Sequence, residues 1–204
     1  MANTNNVTFS GKVATEPRYL TESHDNKIYE FDMVSVRKSG VEDRIKVNCP
    51  SYLLQGIQEG YYIKVLGEFR SYNKPAEEVG KSHTVLTIFA QDIEDAEEFD
   101  ENEIILEGYL CKPTKYRTTP FGRDITDAIL AVNRGNGRSD YIPCIFWGHQ
   151  AKFLHSKCNV GDNIRVVGRI QSRDYQKKLE DGSVETRTAY EVSVRTFEKV
   201  GQEL

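Results

Sequence analysis

The chain has 204 residues, 38% hydrophobic and 28% charged, and no apolar run near the ~20 residues of a membrane-spanning helix, which predicts a water-soluble globular protein of one large domain or two domains of about 100 residues. A net charge of −4 excludes a uniformly basic nucleic-acid binder but averages two different halves: residues 1–103 carry 11 Lys and Arg against 19 Asp and Glu, net −8, whereas residues 104–204 carry 16 against 12, net +4. The opening MANTNNVTFSG has no basic-then-apolar secretory pattern, so a cytoplasmic protein is expected, and Cys49, Cys111, Cys144 and Cys158, without CxxC spacing or paired histidines, are expected to be reduced structural thiols with no metal or other cofactor.

In chain order, the first half offers β-rich runs at VTFSGKVATEP (7–17), FDMVSVRKSG (31–40), KVNCP (46–50) and YIKVLGEFRSY (62–72). The second half repeats them as IILEGYLCKP (104–113), DAILAVNRGNG (127–137), YIPCI (141–145) and NIRVVGRIQSRDY (163–175). Gly11 to Gly108 is 97 residues and Gly67 to Gly168 is 101, a period that means a duplicated domain and not a solenoid. This pairing sets Cys49 opposite Cys144 and Lys46 opposite Tyr141. Between the copies, DIEDAEEFDENE (92–103) reads as a solvated linker; the sharper alternative is an acidic patch that repels phosphate.

The second copy resolves into five strands, near 104–111, 125–133, 141–147, 164–173 and 188–197, with one helix in GHQAKFLHSKCNVGD (148–162). The first copy has the shorter SYLLQGIQEG there. The Asp-Gly pair at 181–182 predicts a long hairpin between strands four and five. Five strands with a helix after the third is the plan of an OB-fold. The expected fold class is all-β: two tandem OB-folds, five-stranded Greek-key barrels each with a short helix between strands 3 and 4. The expected boundaries are residues 1–98, an acidic linker at 99–103, and residues 104–204.

Side chains alternate across a strand, so Arg165, Arg169, Arg173 and Tyr175 share one face of the fourth strand, opposite Ile164, Val166 and Ile170. Such a row either awaits an anion or is a solvated face with ion-pair partners on neighbouring strands. In SDYIPCIFWG (139–148), Ile142, Cys144 and Phe146 suit the barrel interior, leaving Tyr141 and Trp147 outside, about 20 Å apart at ~3.3 Å per residue. The competing assignment makes Trp147 core and Phe146 exposed. Aromatics with cations between them suit single-stranded nucleic acid, because every base offers a flat face and Arg or Lys follows the phosphates.

The stretches YRTTPFGRDITDAILAVNR, DYIPCIFWGHQA, VGDNIRVVGRIQSRDY and AYEVSV cover most of residues 104–197 and resemble the bacterial single-stranded DNA-binding proteins (SSB), the whole chain resembling their tandem-OB variants. The resemblance implies stacking by Tyr141, Trp147 and Tyr175 and a basic groove at Arg117, Arg134, Arg169 and Arg173. It also implies a homodimer, so that four OB-folds assemble. The first copy keeps Lys64, Arg70 and Tyr72 but has Glu68 in place of Arg169 and Lys46 in place of Tyr141, so it is expected to bind more weakly or to serve assembly. The family's tail closing on Pro-Phe is not expected here, the sequence closing on VGQEL.

His149 and His155 lie six apart and do not share a helical face with an acid, and no phosphate loop, nucleophile elbow or HExxH motif is present. Arg138, in the hairpin loop RGNGRSD, is open between a phosphate contact and a solvated tip. The expected function is thus non-enzymatic, sequence-independent binding of single-stranded DNA in replication, recombination or repair, with no small-molecule substrate. The alternative is an OB-fold protein-interaction module of primosome type. Stacking ignores the sugar, so RNA against DNA stays open.

Overall fold

The computed structural model describes residues 5–23, 26–75, 82–97, 99–178 and 182–201. The first half comprises β1 (Asn5–Val13), β2 (Arg18–Ser23), β3 (Asn26–Val36), β4 (Glu42–Pro50), a 3-10 turn at Ser51–Leu53, β5 (Tyr62–Pro75) and β6 (Ser82–Asp95). The second comprises β7 (Asn102–Leu110), β8 (Lys115–Thr118), β9 (Asp124–Asn133), β10 (Ser139–Trp147), helix α1 (Gly148–Lys157), β11 (Asn163–Lys178) and β12 (Val184–Lys199).

Each half closes into a barrel in the same way. The first strand pairs the long fifth-position strand (β1 with β5, β7 with β11) and then turns onto the third (β1 with β3, β7 with β9). One parallel pairing per half completes the ring, β4 with β6 and β10 with β12. The first strand can serve two neighbours because it bends at a glycine. A Cβ on Gly11 would collide with the carbonyl of Val34, and one on Gly108 with the carbonyl of Ala131. The two barrels share one twelve-stranded sheet, joined where β1 runs antiparallel to β7 from Asn5↔Leu106 to Phe9↔Asn102.

The predicted alternation is seen directly: Ile164, Val166 and Ile170 are buried while Arg165 and Arg169 are exposed. Phe9, Phe31, Met33, Ile45 and Phe69 fill the first barrel, and Leu106, Leu130, Ile142, Phe146 and Val192 the second. Burial of each such side chain stabilises the fold by about 1.5–3 kcal/mol. Phe146 is core and Trp147 is outside, so the competing assignment of that pair falls.

Three expectations need correction. Each half has six strands, not five: β2 and β8 are short and exposed at every position, so they carry no apolar period by which to see them. The first half has only the 3-10 turn where a helix was expected, and Gly56 and Gly60 just beyond it adopt φ of 81° and 94°. The second helix ends at Lys157 and does not run on toward Asp162; it buries Ala151 and Leu154, and Thr126 Oγ1 donates to the Ala151 carbonyl at 2.8 Å.

A fourth correction concerns how the copies align. The β3–β4 and β9–β10 turns are the same: Arg37 N–H donates to the Val41 carbonyl and Arg134 N–H to the Arg138 carbonyl. Arg44 pairs Val34 as Tyr141 pairs Ala131, so Arg44, not Lys46, is the counterpart of Tyr141. Cys49 pairs Tyr29 as Phe146 pairs Thr126, so the two cysteines do not match. Aligning them had shifted the third strand by two residues, which preserves the inside–outside pattern and so raises no conflict in the sequence.

Residues 99–103 are held, not loose. Ser10 Oγ donates to the Phe99 carbonyl at 2.5 Å and accepts from Glu101 N–H at 2.7 Å, and Asn102 already belongs to β7.

Candidate nucleic-acid interface

The outer face of β10, β12 and β11 carries the aromatic and cationic row. Register sets Ser193 beside Arg169 and Ile145, Ala189 beside Arg173, and Arg187 beside Tyr175. Trp147 ends β10 at one side of this face, its indole Nε1 donating to Ser193 Oγ at 3.1 Å. That bond fixes the ring beside Arg169. Trp147, Arg169, Arg123, Arg195 and Arg37 line a cleft of about 510 Å³. Arg195 is paired to Glu103 at 2.6 Å and Arg37 to Asp43 at 2.5 Å. Among the described residues, Arg123, Arg169 and Arg173 have no carboxylate within ion-pair distance. Burial, then repulsion from Arg37, lowers the Arg169 pKa against the opposing pull of Asp43. An added anion would relieve both effects.

Farther along the face, Tyr141 and Tyr175 line a second groove of about 650 Å³ with Tyr190 and Lys112. Asn73, Thr84 and Leu86, from the β5–β6 hairpin of the first half, form its far wall. The Arg173 guanidinium lies 6.0 Å from the Tyr175 ring centre. Between the two depressions, Gln171 Nε2 donates to Glu191 at 2.6 Å, which puts a carboxylate in the middle of the row.

The structure thus separates the predicted aromatics into a Trp147 cleft and a Tyr141/Tyr175 groove on one continuous face. Several predicted cations are already paired or lie off this face. Arg134 pairs Asp140 and donates to the Ser71 carbonyl at 3.0 Å, committed to the joint between halves. Arg117 pairs Asp127 at 2.8 Å. Arg165 is flanked in register by Glu107 and Glu198. Arg138 is exposed at its turn, its N–H donating to Asn136 Oδ1 at 3.2 Å.

In the first half the corresponding cations are neutralised. Lys46 lies 3.1 Å from Glu30 and 3.2 Å from Asp32, whose fields raise its pKa despite burial, and Arg44 reaches Asp32 at 3.3 Å. Lys64 pairs Glu94 at 3.4 Å and Arg70 pairs Glu68 at 3.0 Å. The Arg70 guanidinium also lies 3.8 Å from the Phe89 ring centre, shielding it from solution. Tyr72 is partly covered, and burial followed by Glu30 raises its hydroxyl pKa against Lys46.

Sequence reasoning missed Arg123, Arg37, Lys112 and Tyr190. Arg123 follows the invisible strand β8, and Arg37 crosses from the other half; neither lies on a strand with a readable alternation.

The fold and this face define a tandem OB-fold chain with one open, cationic, aromatic surface and one ion-paired surface. The model of the single-strand binding protein family matches residues 101–200, so the second half of the chain carries a domain of that family. Single-stranded DNA-binding protein 1 of Staphylococcus aureus (strain COL) is 36% identical over 83 residues, 38% of this chain and 50% of that protein. The single-stranded DNA-binding protein of Clostridium tetani is likewise 36% identical over 83 residues, 38% of this chain and 57% of that protein. The chain spans about half the length of the curated relatives it matches. Across both halves, the wild-type single-stranded DNA binding protein of Thermus aquaticus superposes with a TM-score of 0.75 at 20% identity, covering 98% of this chain and 94% of that one. That likeness establishes the tandem fold.

Proposed function

We propose that the protein binds single-stranded DNA with little regard to sequence, chiefly through its second half. Trp147, Tyr141 and Tyr175 stack bases while Arg169, Arg173 and Arg123 meet phosphates. The observation that carries this reading is Arg169: a cation beside the open face of an anchored Trp, pressed by Arg37 and without an ion-pair partner among the described residues. The first half, its cations already paired, is the weaker surface. On this reading the protein is a cytoplasmic binder, not an enzyme, and serves replication, recombination or repair as a homodimer.

The single Trp makes the test direct. Oligo-dT added at low salt should quench Trp147 emission strongly, and added salt should restore it, because phosphate contacts release counterions. Unchanged emission together with no mobility shift at low salt would refute DNA binding and favour the protein-interaction alternative.

A further inference from the structure

The hairpin between β8 and β9 presents Phe121 92% exposed, and the described fold offers nothing to cover it. The loop that carries it is tied shut. Thr119 N–H donates to the Arg123 carbonyl at 2.8 Å, Gly122 N–H to the Thr119 carbonyl at 2.9 Å, and Arg123 N–H to Thr119 Oγ1 at 3.0 Å. Gly122 supplies the φ of 75° that this turn requires. The base of the hairpin is anchored as well. Tyr116 Oη donates to Asp124 at 2.5 Å, Lys152 of α1 pairs Asp124 at 2.8 Å, and the Tyr116 ring stacks on His155 with centres 5.5 Å apart.

A phenyl ring presented to water from an ordered turn gains nothing for the isolated fold. Its neighbour two residues on, Arg123, lines the Trp147 cleft and has no carboxylate partner among the described residues. We infer that Phe121 and Arg123 extend this cleft by one nucleotide: Phe121 stacks a base beyond the one on Trp147, and Arg123 holds the phosphate between them. Because the hairpin is pre-ordered, little conformational freedom is lost when the base docks. The inference rests on the single-stranded DNA reading of the Trp147 face and adds a contact to it.

The test uses the full chain and dT oligomers. F121A, at an exposed tip, should keep the native circular dichroism and melting temperature yet bind at least fivefold more weakly, up to about 100-fold, the range for losing one stacked base. F121W should restore affinity, and in a F121W/W147F double variant dT should quench the emission. A loss under fivefold in F121A, with W147A strongly impaired, overturns this inference and leaves the binding reading intact. Failure of F121W to restore binding overturns the stacking role. If F121A and W147A both bind as the parent does, the reading of the whole face falls with it.

Discussion

Ser71 and Ser172 occupy equivalent places in the two halves, and each binds the buried aspartate of the other. Ser71 N–H donates to Asp140 Oδ1 at 2.5 Å and Ser172 N–H to Asp43 Oδ1 at 3.0 Å. Their hydroxyls accept in the same symmetric way, from Tyr141 N–H and Arg44 N–H, both at 2.9 Å. Each aspartate is also held by the arginine that precedes its hairpin turn, Arg134 for Asp140 and Arg37 for Asp43. Two Asn clamps repeat the pattern: Asn5 brackets Phe69 N–H and C=O, and Asn102 brackets Ile170. The joint is therefore a pseudo-twofold interface inside one chain, and it sets Tyr141 against the first half's hairpin.

This joint should be costly to break. Asp140 has no exposed side-chain surface, so Asp140→Asn leaves Arg134 uncompensated. Removing one partner of a buried pair costs about 3–5 kcal/mol. Urea unfolding should show that loss as a lower midpoint, and Asp43→Asn should behave alike. A midpoint within error of the parent would reduce the pair to a surface contact.

The halves should respond unequally to charge reversal. Arg169→Glu with Arg173→Glu removes two cations that have no ion-pair partner, so the slope of log affinity against log salt should fall in magnitude by about two. Lys64→Glu with Arg70→Glu removes cations already spent on Glu94 and Glu68, so affinity should change little. Isothermal titration at three salt concentrations separates the two outcomes, and equal losses would contradict the inequality of the halves.

Glu191 lies in the path of the proposed strand, its carboxylate held by Gln171 at 2.6 Å. Glu191→Gln keeps the shape and removes the repulsion, worth up to about 1 kcal/mol at contact in a watery groove. Affinity at low salt should rise by up to about fivefold and converge with the parent at high salt. A loss of affinity would mean that Glu191 positions Gln171 for a contact of its own.

The sequence made the barrel face legible because one side of each strand is buried, and burial enforces a period of two. Arg169 and Trp147 were readable for that reason. Arg134 was not: its residue type matches a phosphate contact, and only the fold reveals the Asp140 carboxylate six residues on as its partner. Arg44 was hidden by the Cys49–Cys144 coincidence. The second wall of the Tyr141 groove, Asn73 and Leu86, comes from a hairpin about 70 residues earlier in the chain, a distance over which no periodicity speaks.

The thiols supply a prediction independent of DNA. Burial pushes the Cys49 thiol up to about 12 and that of Cys144 higher still. At pH 8 a maleimide should therefore leave both unmodified in the native chain and label both in urea, read by peptide mass. The sign for stability follows: folding keeps the proton on Cys49, so this contribution is whole below the ordinary thiol value near 9 and is lost as pH rises toward about 12. Stability measured from pH 8 to pH 11 should fall. Rapid native labelling of Cys144 would contradict its burial.

Pairing of two chains should use the outer face of the shared sheet around β1 and β7. There Ile105 stands opposite Val167, and Leu66 opposite Thr8, all half-buried and turned away from both cores. Tyr109 is exposed on the same side of β7. The flanking cations and acids, Lys64 with Glu94 and Arg165 between Glu107 and Glu198, provide a polar rim for such a contact. Light scattering should give a mass of about twice the 23.3 kDa chain. Ile105→Lys with Val167→Lys, on a face that contributes nothing to either barrel interior, should return the monomer without loss of helix or strand signal. A parent that already scatters as a monomer would show that one chain's two barrels act alone.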